Sequence, residues 1–212
     1  MSTDRSLQSE SEVKRLEQLW EGDFGDAYVD RNRAAGEHRA SFWQAVLAEF
    51  PVQRVLEVGC NTGANLRWVK DCVSPRQVYG VDINIKALEE LKQSLSGVNA
   101  VWSPARDLPF RDSWFDLTFT MGVLIHQPPD ILPLIMSEVV RCSRKFVLCG
   151  EYYSEELTEM NYRGETGALF KRDFGELYKR LFPNLVLRKQ GFLSKAEGWD
   201  EVTYWIFEKN WQ

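Results

Sequence analysis

Residues 54–63 read Arg-Val-Leu-Glu-Val-Gly-Cys-Asn-Thr-Gly, a β-rich run that ends in a glycine turn. A helical pattern follows at residues 65–72, so this stretch predicts a strand, a tight turn and a helix. Glycines at such a turn let backbone N–H groups approach a ligand closely, because no Cβ intervenes. The spacing of Gly59 and Gly63 lacks the G-x-G-x-x-G pattern of dinucleotide-binding folds, and no Gly-Lys-Ser/Thr of a P-loop is present. With Glu57 in front of the turn, the stretch favours a ligand that carries an amine or a sulfonium cation over a polyanion.

Downstream of the turn, strand and helix patterns alternate along the chain. Four further strands and two helices are predicted at residues 77–81, 99–102, 115–120 and 145–149 and at residues 85–95 and 131–140. This alternation is typical of βαβ units, which form a parallel sheet with helices on both faces. Two last strands, at residues 185–187 and 202–207, are joined by a glycine-containing loop at 191–198 and predict a C-terminal antiparallel hairpin at the sheet edge. The predicted fold is therefore an α/β, Rossmann-like, doubly wound sheet of seven mostly parallel strands.

The N-terminal quarter of the chain has a different pattern. Residues 1–11 are predicted to be a disordered tail, because Ser, Gln and Glu bury too little apolar surface. Residues 12–50 are predicted to form a helical cap, with helices at 12–20 and 39–50 and a break at 21–26. The aromatic residues and glycines of residues 19–32 indicate a lid over a bound ligand, or alternatively a helix docked on the sheet. Residues 51–212 are predicted to be the α/β domain itself.

Composition narrows the class of protein and of partner. The 212 residues are 44% hydrophobic, which suits one compact domain, and the formal net charge is −5. Because basic residues do not outnumber acidic ones, the sequence predicts a small-molecule substrate rather than a nucleic acid. The sequence leaves the oligomeric state open. The first dozen residues lack an apolar run, so neither a signal peptide nor a membrane segment is predicted, and a cytoplasmic location is expected. No metal site is predicted, and no C-x-x-C pair occurs among the cysteines, which are expected to be buried free thiols: Cys60, Cys72, Cys142 and Cys149.

The glycine turn resembles the first motif of the class I S-adenosylmethionine-dependent methyltransferases. It departs from that motif at Asn61, where most members carry glycine, but asparagine tolerates left-handed backbone angles. Asp82 follows about twenty residues later at the end of a predicted strand, where a carboxylate suits the two ribose hydroxyls of such a cofactor. Each feature alone has an ordinary alternative, a structural turn for the glycines and a helix cap for Asp82. Together they predict S-adenosylmethionine as the cofactor.

The same resemblance implies the residues that hold the cofactor. Glu57, Gly59, Asn61 and Gly63 would hold the methionine part and Asp82 the ribose. Residues 103–110 resemble the adenine-side loop, although Pro104 stands where members often have an acid, and a plain turn is the alternative. The full predicted cofactor set is Tyr28, Glu57, Gly59, Cys60, Asn61, Gly63, Asn65, Asp82, Ile83, Ala105, Arg106, Asp107, Leu108 and Met121.

Candidate acceptor residues follow the fourth and fifth strands. His126 could take a proton from a hydroxyl or amine acceptor, or it could be a packed residue that shapes the pocket. Tyr153 lies beyond the fifth strand. Tyr162 and Arg163 lie in a long insert, whose aromatic and cationic side chains suit a sugar or an anionic small molecule. The alternative for this insert is a solvated loop before a helix capped near Asp173. The predicted catalytic set is His126, Tyr153, Tyr162 and Arg163.

Several segments together resemble a narrower group, the pseudaminic acid biosynthesis-associated methylase family, over about residues 16–210. They are residues 20–28, 59–66, 122–126, 162–164 and 169–174. This resemblance implies O- or N-methylation of a small molecule, such as a sugar or sugar-nucleotide of a nonulosonic acid or surface-glycan pathway. The rival functions are a nucleotide-dependent oxidoreductase, a non-catalytic module that binds S-adenosylmethionine, and a methyltransferase of another metabolite. A nucleobase amino-methyltransferase is disfavoured, because no Asp/Asn-Pro-Pro-Tyr-like tetrapeptide follows the fourth strand.

Overall fold

A central seven-stranded sheet organises the computed structural model, which describes residues 2–33 and 36–210, with side chains from residue 10 onward. The strand order is β3-β2-β1-β4-β5-β9-β8. All of these strands run parallel except β9, which pairs antiparallel with both neighbours. The strands are β1 (Val55–Val58), β2 (Val78–Asp82), β3 (Asn99–Trp102), β4 (Phe115–Met121), β5 (Ser143–Glu151), β8 (Leu185–Leu193) and β9 (Val202–Lys209). The predicted α/β class, the seven strands and the C-terminal antiparallel hairpin are confirmed.

Helices cover both faces of the sheet and create two apolar layers. One layer centres on Trp43 and Phe119, and the other on Phe115 and Phe207, all of which are fully buried. The central strands β1 and β4 are buried along almost their whole length, as expected for parallel strands covered on both faces. The covering helices are α3 (Ala40–Glu49), α4 (Leu66–Cys72), α5 (Ile85–Ser94), α6 (Leu132–Cys142) and α7 (Phe174–Leu181).

The N-terminal segment is more helical than the sequence indicated. Helix α1 (Ser2–Glu21) includes residues 2–11, for which disorder was predicted, and Met1 lies outside the described residues. No glycine or proline interrupts the chain before Gly22, so nothing in the sequence stops the helix at its N-terminal end. Helix α2 (Asp23–Arg31) begins inside the predicted break. There Gly22 serves as the N-cap, and two aspartates in the first turn favour the helix through its dipole.

The C-terminal hairpin is longer than predicted. Strand β8 continues to Leu193, so the first three residues of the predicted loop at 191–198 belong to the strand, and the turn lies at residues 194–201. A register shift between Leu187 and Lys189 interrupts the alternation of buried and exposed residues, which hides the strand from a periodicity analysis. Gly191 is needed there because a Cβ would lie 2.6 Å from the Tyr204 ring.

The insert between β5 and α7 contains a second, small sheet. It is a two-stranded antiparallel hairpin of β6 (Thr158–Glu159) and β7 (Phe170–Lys171). The Asp173 side chain accepts a hydrogen bond of 2.8 Å from the Glu176 N–H and caps α7. The helix cap near Asp173, which was the alternative to a binding role for this end of the insert, is therefore present.

The cysteines are all free thiols, but Cys72 is exposed rather than buried, because it lies in the last turn of α4. Within the described residues, no helix is long and apolar enough to cross a membrane.

Candidate active site

A cavity of about 420 Å³ lies at the carboxyl ends of the central strands. Glu57 in β1, Asp82 at the end of β2 and Met121 at the end of β4 lie in its wall. Helices α1 and α2, here called the roof, cover it from the N-terminal side with Trp20 and Tyr28. In doubly wound sheets this edge is where ligands bind, so the cavity is the candidate site.

The glycine turn after β1 adopts left-handed backbone angles at three positions. The φ angles are 74° at Gly59, 47° at Asn61 and 84° at Gly63. A Cβ on Gly59 would lie 2.3 Å from a methyl group of Val123, so only glycine fits there. The Asn61 backbone N–H donates a 2.7 Å hydrogen bond to Oδ2 of Asp82, which ties the turn to the next strand. Asparagine in place of the usual glycine is therefore compatible with the turn.

Glu57 is a buried carboxylate with one unpartnered oxygen. Its Oε1 accepts a 2.6 Å hydrogen bond from Nδ2 of Asn65, whereas Oε2 is enclosed without a partner among the described residues. Burial raises the pKa of Glu57 to about 8. A cationic amine in the cavity would satisfy Oε2 and favour the ionised form, because a nearby positive charge lowers the pKa of a carboxyl. The site therefore fits the amino group of a methionine-derived cofactor.

Asp82 is held by two backbone donors. Its Oδ2 accepts from Asn61 N, and its Oδ1 accepts from Asn84 N at 2.9 Å. Burial raises the pKa of this carboxyl from its usual value. An ionised carboxylate has about four acceptor positions, so two remain for a pair of ligand hydroxyls. This arrangement suits a ribose.

The cavity includes most of the predicted cofactor set but leaves out three members. Gly63 lies under α5, where a Cβ would be 2.5 Å from Leu95, and it does not face the cavity. Asp107 and Leu108 also lie off the cavity, since the loop curls back after Arg106. The Asp107 carbonyl accepts from Ser103 Oγ at 2.5 Å, and Leu108 is buried in the core. The members that line the cavity are Tyr28, Glu57, Gly59, Cys60, Asn61, Asn65, Asp82, Ile83, Ala105, Arg106 and Met121.

Three of the four predicted catalytic residues line the cavity, namely His126, Tyr162 and Arg163. Tyr153 does not, since its side chain is 44% exposed and lies on the outer side of the chain. Its neighbour Tyr152 lines the cavity instead. Successive side chains of an extended segment point to opposite sides, so a shift of one position separates the two tyrosines.

His126 is a buried, neutral imidazole. Its Nδ1 lies 2.7 Å from the Ala168 carbonyl, which can only accept, so Nδ1 carries the proton and donates. Burial lowers the pKa of His126 to about 4. Its ring contacts Trp20 and Tyr162, with ring centroids 4.6 and 5.0 Å away. The other ring nitrogen, Nε2, is therefore left as a hydrogen-bond acceptor for a ligand.

The short 3-10 turn Leu124–His126 is held from below by Glu151 at the end of β5. The Val123 and Ile125 N–H groups each donate a 3.3 Å hydrogen bond to its carboxylate. This carboxylate is fully buried, and burial raises the pKa of Glu151 to about 7. Glu151 therefore fixes the turn that carries His126, although it does not itself face the cavity.

The structure adds cavity residues that the sequence did not indicate. Asn84 caps α5 and also donates through Nδ2 to the Trp20 carbonyl at 3.1 Å and to Asp26 Oδ1 at 2.8 Å. Arg39 donates to Asn65 Oδ1 at 3.0 Å, and its guanidinium lies 4.2 Å from the ring centroid of Trp199. The position of Asn84 two residues after Asp82 was an available signal, whereas Arg39 and Trp199 are distant from the motifs in sequence.

Two contacts fix the position of the roof over the cavity. A Cβ on Gly25 would lie 1.8 Å from the Trp20 carbonyl oxygen, so α2 approaches α1 as closely as it does only with glycine. On the opposite side of the roof, Glu17 accepts from Nε of Arg106 at 2.6 Å and pairs α1 with the predicted adenine loop.

Comparison with known proteins supports a methyltransferase assignment. Residues 55–145 match the family model described as a methyltransferase domain. The chain is 29% identical over 102 residues to a probable phthiotriol/phenolphthiotriol dimycocerosates methyltransferase 2 of Mycobacterium ulcerans. It is 32% identical over 74 residues to a fatty-acid O-methyltransferase of Mycolicibacterium smegmatis. The two alignments cover 47% and 34% of this chain, but only 39% and 27% of the length of those relatives.

Solved structures with the same fold cover nearly the whole chain. One is the 1,6-didemethyltoxoflavin-N1-methyltransferase of Burkholderia thailandensis with bound 1,6-didemethyltoxoflavin and S-adenosylhomocysteine. It has a TM-score of 0.73 and 16% identity, over 93% of this chain and 90% of that one. Another is the magnesium protoporphyrin IX methyltransferase of Synechocystis PCC 6803 with bound S-adenosylmethionine. It has a TM-score of 0.70 and 12% identity, over 94% of this chain and 97% of that one.

Outside residues 55–145, the similarity to these solved structures is one of fold and not of sequence. With the domain match, they support S-adenosylmethionine as the cofactor, in agreement with the cavity geometry. Residues 55–145 match a methyltransferase domain, and the chain has the fold of these solved methyltransferases.

Proposed function

We propose that this protein transfers a methyl group from S-adenosylmethionine to a small molecule bound in the same cavity. One observation carries the proposal: the unpartnered oxygen of buried Glu57 beside Asp82, with the glycine turn between them. Two acids and a turn open to close approach fit a cationic adenosyl ligand, and they do not fit a pyrophosphate.

The cofactor would lie across the carboxyl ends of β1 and β2. Glu57 would accept from its amino group, and Asp82 would accept from its ribose hydroxyls. Ile83 and Ala105 would pack against adenine from the ends of β2 and β3, since both line the cavity there. Arg39, close to Glu57 and bonded to Asn65, is the cation available for the carboxylate of the methionine part.

The residues of the chain have two tasks in the reaction, orientation and exclusion of water. When bound, S-adenosylmethionine supplies an activated methyl group on its sulfonium, and transfer leaves S-adenosylhomocysteine while the acceptor loses its proton to water. The roof covers the cavity with Trp20 and Tyr28. This cover would keep the reactants aligned and away from bulk solvent.

His126 serves better as an orienting acceptor than as a general base. A base works best when its pKa lies near the operating pH, whereas the pKa of His126 lies near 4. Its neutral Nε2 can accept a hydrogen bond from an acceptor hydroxyl or amine and aim the lone pair of that group at the methyl carbon. The transfer then needs no proton to reside on the imidazole.

We further propose that the acceptor is a sugar or sugar-nucleotide of a nonulosonic acid or surface-glycan pathway, methylated at oxygen or nitrogen. The resemblance of residues 20–28, 122–126, 162–164 and 169–174 to the pseudaminic acid-associated methylases supports this choice. The aromatic side chains that surround the cavity, among them Trp20 and Tyr162, suit the apolar face of a sugar ring.

Substitution of Asp82 tests the cofactor assignment. We expect Asp82→Ala to weaken S-adenosylhomocysteine binding by about 100-fold, because hydrogen bonds to a charged group contribute roughly 1.5–3 kcal/mol each. Isothermal titration calorimetry measures the affinity, and far-UV circular dichroism checks the fold. Asp107→Ala is the matched control, since Asp107 is an exposed acid of the neighbouring loop that lies off the cavity. Unchanged affinity in Asp82→Ala would refute the assignment.

A further inference from the structure

Three tyrosines from three separate segments line the cavity together. Tyr28 comes from α2, Tyr152 follows β5, and Tyr162 lies in the hairpin of the insert. Burial raises the pKa of Tyr28 to about 12, and repulsion from the Tyr162 hydroxyl adds to the shift. Burial likewise raises the pKa of Tyr152, with further contributions from Asp200, Tyr28 and Tyr162. The three hydroxyls are therefore within electrostatic range of one another.

Among the described residues, no side chain or backbone group forms a hydrogen bond with these hydroxyls, and the three tyrosines are only partly buried, since they line the cavity. A phenol hydroxyl can both donate and accept a hydrogen bond, so all three are available to a ligand in the cavity. Asp200 also lines the cavity and adds a carboxylate acceptor near Tyr152. A ligand with several hydroxyl groups would satisfy all four side chains.

Arg163 is presented to the cavity by a strained turn. Its φ angle is 54°, in the left-handed region that disfavours a side chain, and Gly164 follows with a φ of 90°. Tyr162 and Glu165 exchange two backbone hydrogen bonds of 3.0 Å across the turn, and Asn161 Oδ1 accepts from Gly164 N at 3.1 Å. Strain of this kind persists where the surroundings hold it, and it is concentrated at binding sites.

Arg163 is also the cavity cation that lacks a partner within residues 2–33 and 36–210. Arg106 is paired with Glu17, and Arg39 is bonded to Asn65 and stacked on Trp199. No hydrogen bond or ion pair engages Arg163, although its side chain lines the mouth of the cavity. A free guanidinium at this position suits a carboxylate or a phosphate, which it binds through two parallel hydrogen bonds.

We infer that the acceptor is a polyhydroxylated small molecule with an anionic group, held by Arg163 at that group and by the three tyrosines at its hydroxyls. The inference rests on the proposed methyltransferase function and adds the side chains that recognise the acceptor, Arg163 for its anionic group and the three tyrosines for its hydroxyls. It assigns to Arg163 a role in specificity rather than in cofactor binding.

Methyl labelling of a metabolite extract tests this assignment. The full-length protein is incubated with trideuteromethyl-labelled S-adenosylmethionine and a deproteinised small-molecule extract of the cells that produce it. The products are then separated on an anion-exchange resin at pH 7 and detected by mass spectrometry. We expect the label in the retained, anionic fraction, in a compound that periodate cleaves between neighbouring hydroxyls. Prior treatment of the extract with a phosphatase and a nucleotide pyrophosphatase abolishes labelling of the retained fraction if the anion is a phosphate or diphosphate, because the group that Arg163 binds is then removed, and leaves it unchanged if the anion is a carboxylate.

Matched variants connect the product to the residues. Arg163→Met should lower the rate of label transfer about 10- to 100-fold, and Tyr152→Phe and Tyr162→Phe about 3- to 10-fold each, because charged hydrogen bonds are stronger than neutral ones. Arg163→Met should leave S-adenosylhomocysteine affinity, measured by calorimetry, unchanged. Arg76→Met, an exposed cation at the opposite end of the sheet, should match the wild type.

The outcomes separate this inference from the proposed function. Label in the unretained, neutral fraction, or equal labelling by Arg163→Met and wild type, would overturn the anionic acceptor and leave the methyltransferase intact. A loss of S-adenosylhomocysteine affinity in Arg163→Met would assign the arginine to the cofactor and likewise overturn the inference. Label in no fraction, while S-adenosylhomocysteine still binds, would contradict the methyltransferase function and the acceptor class with it.

Discussion

Glu57 is the residue whose ionisation depends most directly on what occupies the cavity. Its pKa lies near 8 because it is buried, so the empty protein keeps it largely protonated at neutral pH. A cationic amino group against Oε2 would reverse this preference and lower the pKa. Binding of a ligand with such a group must therefore release a proton from Glu57.

We predict that S-adenosylhomocysteine binds more tightly at pH 8 than at pH 6 and that binding at pH 7 releases a proton. Calorimetry in two buffers with different ionisation enthalpies measures the number of protons released. Glu57→Gln should bind less tightly, and its affinity should lose the dependence on pH between 6 and 8. Wild-type protein that binds equally well at both pH values, without proton release, would show that the amino group lies elsewhere.

The neutral state of His126 gives a second prediction, on stability. Its pKa falls from 6.5 in the unfolded chain to about 4 in the fold, so unfolding at acid pH takes up a proton. The contribution of His126 is complete above pH 6.5 and is lost as the pH falls from 6.5 to 4, by about 3 kcal/mol in all. Buried Glu57 and Glu151 have raised pKa values and act in the opposite direction over pH 4.5–8.

A comparison of variants isolates the effect of His126. When the pH falls from 7 to 5, the free energy of unfolding measured in urea should change in the stabilising direction in His126→Gln relative to the wild type, because the variant lacks the loss that protonation of His126 causes while Glu57 and Glu151 act alike in both. The glutamine keeps a donor for the Ala168 carbonyl but does not titrate. Parallel pH dependences of the two proteins would mean that His126 is charged in the folded state.

Residues near the glycine turn could be predicted from sequence, whereas those brought in by tertiary contacts could not. Glu57 and Asp82 lie at fixed spacings from the ends of β1 and β2, so a local motif is sufficient to find them. Arg39 and Trp199 join the site through contacts between segments far apart in sequence. Tyr153 was predicted to face the cavity, but Tyr152 does so instead, for a different reason. Which of the two tyrosines faces the cavity depends on the exact end of β5, and strand ends are the least certain part of a sequence pattern.

At the scale of elements, the parallel strands were predictable because their apolar runs are short, continuous and separated by helices. One element was predicted too short and another was missed, each for an identifiable reason. Strand β8 contains a register shift after Leu187 that breaks its alternation. Helix α2 begins directly after Gly22, so its first residues resemble a loop in composition. Tertiary contacts stabilise both elements where the local sequence pattern is weak: β8 pairs with β9, and α2 contacts Asn84.

Helix α2 also provides a test of the roof. Gly25→Ala would place a Cβ against the Trp20 carbonyl, so α2 must move away from Asn84 and the roof must loosen. We predict a loss of about 1–3 kcal/mol of stability, typical of overpacking, together with weaker S-adenosylhomocysteine binding. Ala27→Gly, on the exposed face of the same helix, is the control. It should cost about 1 kcal/mol through helix propensity alone and keep the affinity. Wild-type affinity in Gly25→Ala would mean that the roof does not contribute to cofactor binding.

At the scale of the whole molecule, ligand binding and folding are linked through the cavity. The roof comes from the first 31 residues, whereas the acids and the glycine turn come from β1 and β2, so the site exists only when these parts are packed together. A ligand that binds only the folded state stabilises it by about 2.7 kcal/mol at 100 times its dissociation constant. For a chain of about 200 residues, each kcal/mol raises the melting temperature by about 2–4 °C.

We therefore predict that S-adenosylhomocysteine at this concentration raises the melting temperature by about 5–10 °C, as measured by differential scanning fluorimetry. NADH at the same concentration should produce no shift, because the turn lacks the glycine spacing and the pyrophosphate contacts of a dinucleotide site. In Asp82→Ala the shift should nearly disappear, whereas in Asp107→Ala it should persist. A shift with NADH and none with S-adenosylhomocysteine would favour an oxidoreductase. Equal shifts in both aspartate variants would place the ligand outside the cavity that β1 and β2 create.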